Sequence, residues 1–108
     1  MKDYSVNLTV TAERDISNAV DYIDNVLHNP QAADNLLDGI ESAIYSLPVF
    51  PEKFPLVQDP VLASRGIRIM SVSNYLILYT IDKSAAVIHV VRFLYGKSNW
   101  QNILKSDI

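Results

Sequence analysis

"GIRIMSVSNYLILYTIDKSAAVIHVVRFLYGKSNW", residues 66–100, is the stretch whose reading decides the fold. Three runs rich in β-branched and aromatic residues stand out in and just before it: "RGIRIMSV", "YLILYTI" and "AAVIHVVRFLY". Ser73-Asn74 and Asp82-Lys83-Ser84 separate them as turns, which predicts a three-stranded antiparallel meander. The last run is apolar until it meets Arg92, Tyr95, Gly96, Lys97 and Trp100, so a buried strand is expected to end in a polar edge.

Upstream, "PVFPEKFPLVQDP" carries four prolines and reads as an irregular connector, although Phe50, Phe54, Leu56 and Val57 are too apolar for a free linker. Before it, Ala33, Leu36, Leu37, Ile40, Ile44 and Leu47 recur at three and four residues, the stripe of an amphipathic helix. Asn29-Pro30 starts that helix, with an N-cap side chain and a proline in the first turn, and Pro48 ends it. Ile16, Ala19, Val20, Ile23 and Leu27 give a preceding helix, from about Thr11 to Leu27, and the short joint makes the pair an antiparallel hairpin. Val6, Leu8 and Val10 alternate with polar residues as a first strand, and "SNWQNIL" is expected to form a last helical turn capped by Ser98. The order is β-α-α-β-β-β. This is an α+β fold, a helical hairpin packed on a mainly antiparallel four-stranded sheet.

The 108 residues form a single domain, 1–108, without internal repeats or low-complexity segments. The absence of cysteine excludes a disulfide scaffold, a thiol nucleophile and a Cys-based zinc site. Neither a signal-peptide pattern nor an apolar run of membrane-spanning length is present, and the chain reads as cytoplasmic. Its net charge of −3 conceals an asymmetry: residues 1–50 sum to −6 and residues 51–108 to +3. A basic second half is compatible with an anionic partner, and equally with an ordinary solvated surface.

His28, at a helix end, and His89, within a strand, read as structural and make no metal site. Asp21, Asp24, Asp38 and Glu41 lie on solvated helix faces, and the isolated glycines form no phosphate loop. The basic residues carry more. Arg68 alternates with Ile67 and Ile69 and so points away from their face. Arg92, expected on one face with Val90 and Leu94, is an unusual guanidinium unless it has a partner. One reading pairs it with Asp59 or Asp82, while Tyr95 and Trp100 merely pack. The other makes it a phosphate-binding group, since its planar fork donates two parallel hydrogen bonds. Tyr95 is placed just beyond the strand's regular part, with Gly96 allowing the backbone to turn.

Taken together, "LTVTAERDI", "DYI", "NPQAADNLLDGI", "FPEKFPLV", "GIRIMSVSNYLILYTID" and "VVRFLYGKSNW" resemble the RelE/ParE superfamily of bacterial toxins, from about Tyr4 to Leu104. The most specific part is the "GIR…NYLI" hairpin followed by a strand ending Arg-x-x-Tyr-Gly. The resemblance implies the fold given above and a toxin neutralised by a cognate antitoxin. RelE-like relatives enter the ribosome and cleave mRNA, whereas ParE-like relatives poison DNA gyrase. By position, Arg68, Arg92 and Tyr95 match the catalytic residues of the nucleases, and Lys53, Arg65 and Lys97 are candidates for RNA binding. That chemistry needs neither metal nor cofactor: a 2′-hydroxyl attacks the adjacent phosphate, Tyr95 moves a proton, and the arginines stabilise the developing charge. The expectation is therefore a metal-independent, ribosome-dependent mRNA endonuclease. The alternative is a gyrase inhibitor without catalytic residues.

Overall fold

A computed structural model describes residues 3–107. Strand β1 (Ser5–Leu8) leads into α1 (Val10–Asp21), whose axis continues as a π-helical turn at Tyr22–Val26, and then into α2 (Pro30–Ser46). Short 3-10 turns at Leu47–Val49 and Pro51–Lys53 and the helix α3 (Pro60–Ser64) form the connector. Strands β2 (Arg68–Val72), β3 (Tyr75–Asp82) and β4 (Val87–Tyr95) follow, and α4 (Trp100–Asp107) closes the described chain. The sheet order is β1-β4-β3-β2. The meander is antiparallel as expected, and β1 joins β4 in parallel, Ser5 opposite Val87 through Leu8 opposite Val90.

The caps that start the helices are side-chain oxygens that accept N–H groups of the first turn. Thr9 Oγ1 accepts from the Ala12 N–H, which starts α1 at Val10 rather than near Thr11. Asn29 Oδ1 accepts from the Ala32 N–H and Pro30 occupies the first turn of α2, as its sequence implies. The π-turn changes the phase of the first helix: the Leu27 N–H bonds back to the Tyr22 carbonyl, which inserts a residue into the 3.6-residue period. The buried stripe therefore stops at Ile23, and Leu27, expected in it, is exposed, as is Leu37 at the margin of the α2 stripe.

Both faces of the sheet are covered. On one, Ala12 of α1 and Leu36, Ile40 and Ala43 of α2 pack against Val72, Ile77, Tyr79, Ile88, Val90 and Phe93. On the other, Val57, Leu62 of α3 and Leu104 of α4 pack against Ile67, Leu78 and Leu94. This second layer was not legible in "VLAS" or in the short tail. Asp59 caps α3 by accepting from the Val61 and Leu62 N–H groups, and its other oxygen takes Lys105 of α4 at 2.7 Å. The tail forms two helical turns from Trp100, with the Ile103 N–H bonded to the Asn99 carbonyl; Ser98 does not cap it but donates its hydroxyl to the Tyr95 carbonyl.

Two local irregularities position the candidate residues. The turn between β3 and β4 runs over residues 83–86, beginning one residue and ending two residues later than the expected Asp82-Lys83-Ser84: the Asp82 carboxylate accepts from the Ala85 N–H, and Ala86 adopts a φ of 56°. A β-bulge then interrupts the β3–β4 ladder, since Leu78 faces Arg92 while Tyr79 faces Val90. Val91 is the extra residue. A bulge reverses the in–out alternation beyond it, so Arg92 shares a face with Leu94 but not, as the simple alternation predicts, with Val90.

Candidate functional site

Strand β1 ends at Leu8, which leaves the edge of β4 open from Val91 onward, and α1 crosses that edge. The Thr9 hydroxyl donates to the Val91 carbonyl, and one oxygen of Asp15 accepts the Phe93 N–H at 3.1 Å. The same carboxylate takes Arg92 in a two-pronged pair, Nε at 2.7 Å and Nη2 at 3.0 Å, while Arg92 Nη1 reaches Asp107 of α4 at 2.8 Å. The side chains of Arg92 and Asp15 are only 15% and 12% exposed. The hydrogen bond to Asp15 raises the Arg92 pKa above the usual guanidinium range, burial opposes this, and Asp107 adds to the rise. The partners of Arg92 are therefore Asp15 and Asp107, not Asp59 or Asp82. Neither is near it in sequence terms that periodicity could reveal.

Arg68 has a similar occupation elsewhere. It stands opposite Tyr79 on β3, on the α1/α2 face of the sheet, and its Nη1 donates to the carbonyls of Phe54 at 2.7 Å and Glu52 at 3.3 Å. The buried Tyr79 hydroxyl donates to the Pro51 carbonyl at 2.7 Å, and Lys53 Nζ donates to the Ser46 carbonyl at 2.9 Å. Burial raises the Tyr79 pKa, and the charge of Arg68 partly offsets it. Arg68, Tyr79 and Lys53 together satisfy the carbonyls of a proline-rich segment that has few backbone partners of its own.

Arg68 and Arg92 project from opposite faces. Arg68 aligns with Tyr79, a member of the first core, and Arg92 aligns with Leu78, a member of the second. Tyr95 lies on the face of Arg68 but at the other end of the sheet, opposite Tyr75 and four residues along β3 from Tyr79. That is about 13 Å along a strand rising ~3.3 Å per residue. The three candidate catalytic side chains do not converge.

Tyr95 is the last residue of β4 rather than a residue beyond it, 41% exposed, with its ring edge-on to Tyr75 at 5.4 Å. Tyr75 in turn stacks on Phe93 at 4.9 Å. Burial, with Tyr95 next to it, raises the Tyr75 pKa. Gly96 is favoured here by a close approach rather than by a turn: its N–H donates to the Asn74 carbonyl at 2.8 Å, and a Cβ would stand a tight 3.1 Å from that oxygen. Tyr95 and Tyr75 border a groove of about 950 Å³ whose other wall is Tyr22, Leu27 and Leu36, with Val72 beneath. Leu27 could not be assigned to it from periodicity, because the π-turn that turns it outward leaves no mark in the hydrophobic pattern, and Tyr22 lies outside the apolar stripe.

Of the remaining cations, Lys97 lies exposed in the turn after β4. Arg65 borders a smaller cavity of about 510 Å³ on the α3/α4 face, together with Thr80, Arg92 and Asp107. Among the described residues no cluster of His, Asp or Glu is placed to hold a metal ion, and no helix is long and apolar enough to cross a membrane.

A family model described as the ParE toxin of the type II toxin–antitoxin system parDE matches residues 6–100. Among solved structures, a chain of the chromosomal ParDE system of P. aeruginosa superposes with a TM-score of 0.70 at 16% identity, covering 86% of this chain and 96% of that one. A chain of the RelBE2 toxin–antitoxin complex of Mycobacterium tuberculosis superposes with a TM-score of 0.61 at 20% identity, covering 87% and 99%. Direct sequence comparison with curated proteins gives no match.

Proposed function

Because the chain belongs to the ParE toxin family, within the RelE/ParE superfamily, we propose that it is a growth-inhibiting toxin that acts by binding DNA gyrase and is held inactive by a cognate antitoxin. The observation that supports gyrase over mRNA cleavage is the placement of the two arginines. Phosphoryl chemistry needs cations aimed at one developing charge. Here the guanidinium groups lie on opposite faces, Arg92 held by Asp15 and Asp107 and Arg68 by connector carbonyls. An inhibitor that binds an enzyme needs no such convergence, and its energy is concentrated in a few buried anchors.

The antitoxin's place in this reading is the groove bordered by Tyr22, Leu27, Leu36, Tyr75 and Tyr95, which suits the apolar face of a segment that folds as it binds. One observation favours the nuclease reading: Tyr95 is exposed at the groove's rim, two residues from Lys97. In that reading Arg68, Arg92 and Tyr95 act on the phosphate, and Lys53, Arg65 and Lys97 bind RNA. The deciding experiment adds the purified chain to gyrase holoenzyme with relaxed plasmid, and separately to ribosomes carrying mRNA. Blocked supercoiling with intact mRNA is the expected result. Cleaved mRNA with unaffected supercoiling would establish the nuclease instead.

A further inference from the structure

Few large apolar side chains in this chain are as exposed as those where α2 ends: Tyr45 is 88% exposed, Val49 83% and Phe50 60%. Three large apolar side chains left exposed within six residues, on a chain that otherwise covers both faces of its sheet, point to a binding surface. It is also held in place before any partner arrives. The backbone that carries it is pinned from behind by Lys53 on the Ser46 carbonyl, Tyr79 on the Pro51 carbonyl and Arg68 on the carbonyls of Glu52 and Phe54. Pro48 and Pro51 remove further freedom. Anchors ordered in advance lose little entropy on binding.

Charge identifies the occupant. Asp34, Asp38 and Glu41 are exposed at helical spacing on the outer side of α2 and lead directly to Tyr45. They belong to the half of the chain that sums to −6. The surface that complements them is basic around an apolar pocket. An enzyme that handles DNA must present basic surfaces to the phosphate backbone. The groove assigned to the antitoxin takes Ala32, Asn35, Leu36 and Gly39 from α2 and none of Asp38, Glu41, Tyr45, Val49 or Phe50, so the two surfaces use different side chains of the helix.

We infer that Tyr45, Val49 and Phe50, flanked by Asp38 and Glu41, form the surface that docks on a basic, DNA-binding face of gyrase. This rests on the gyrase reading and specifies where the contact lies. Complementary charge speeds encounter and weakens with salt, while the apolar anchors set the lifetime of the complex.

The test measures inhibition of supercoiling by gyrase holoenzyme, and affinity for the antitoxin, for wild type, Tyr45→Ala/Phe50→Ala and Asp38→Lys/Glu41→Lys, with thermal unfolding as a control of folding. All four side chains are exposed, and unfolding temperatures are expected to stay near wild type. The expected result is inhibition weakened about tenfold or more by the apolar double variant, the loss expected when two anchors are removed. The charge variant should weaken it too and flatten its dependence on salt, and antitoxin affinity should be retained in both. Should the apolar variant fold poorly, the charge variant decides. Unchanged inhibition by a wild type-like amount of either variant overturns the surface while leaving the gyrase reading intact. Loss of antitoxin affinity with inhibition preserved gives the patch to the antitoxin and also overturns it. A wild type that leaves supercoiling untouched overturns the gyrase reading and this occupant together.

Discussion

Asp15→Ala is expected to be among the most destabilising polar substitutions in this protein. The carboxylate accepts two hydrogen bonds from Arg92 and one from the Phe93 N–H, in surroundings where its side chain is 12% exposed. Alanine leaves the guanidinium with Asp107 alone and the N–H at the open edge of β4 without an acceptor. Breaking a buried ion pair costs about 3–5 kcal/mol, and an orphaned buried N–H about 1–3 kcal/mol. Because Arg92 keeps Asp107 and is 15% exposed, the ion-pair loss falls below that range, to about 2 kcal/mol, and with about 1 kcal/mol for the N–H a total of ~3 kcal/mol is expected. At about 2 cal/mol/K per residue of unfolding entropy, that lowers the melting temperature by roughly 10–15 °C. Urea unfolding of the purified chain measures it as a shift in midpoint at constant slope. Arg92→Ala should cost less than Asp15→Ala, since Asp15 keeps its bond to Phe93, and the double variant should cost less than the sum of the two. A loss below about 1 kcal/mol for Asp15→Ala would refute the account of Arg92 as a tie between α1, β4 and α4. So would Arg92→Ala abolishing activity at unchanged stability, which would instead make Arg92 a functional group.

Ile77→Ala, at a fully buried position of the first core, should cost about 2–5 kcal/mol by the same unfolding assay. Tyr79→Phe leaves the Pro51 carbonyl unsatisfied and should cost about 1–2 kcal/mol, and it should also remove part of the alkaline loss of stability. Burial holds the Tyr79 pKa above 10.0, so its contribution is complete below that value and is lost as pH rises through the folded pKa. Asp59 behaves oppositely: Lys105 and the Leu62 N–H lower its pKa below 3.8, so its contribution is complete above that value and is lost as pH falls. Asp59→Asn should flatten that acid limb in a pH series of melting temperatures. Tyr95→Phe should leave both stability and growth inhibition unchanged; loss of toxicity in a folded variant would favour RNA cleavage.

The elements that local patterns specify were legible without coordinates. The β-branched and aromatic runs "RGIRIMSV" and "YLILYTI" place strands, Asn29-Pro30 starts α2, and the Arg-x-x-Tyr-Gly at the end of β4 carries the family resemblance. Each of these is set by neighbours within a few residues, where turn chemistry, capping and side-chain period act. What the sequence could not specify depends on partners far along the chain. Nothing near Arg92 announces Asp15, 77 residues away, and nothing near Arg68 announces the carbonyl of Phe54. A single extra residue at Val91 reversed the face on which Arg92 lies, and a π-turn turned Leu27 outward, because both faces and stripes are counted by parity or phase and one insertion changes every position after it. The sequence by itself determined the strands of the meander, the helical hairpin before it and the identity of the cations. Only tertiary packing decided that Arg68 and Arg92 point apart and are spent on the protein's own oxygens, since the direction of a side chain depends on register and its partners on which distant segments pack beside it.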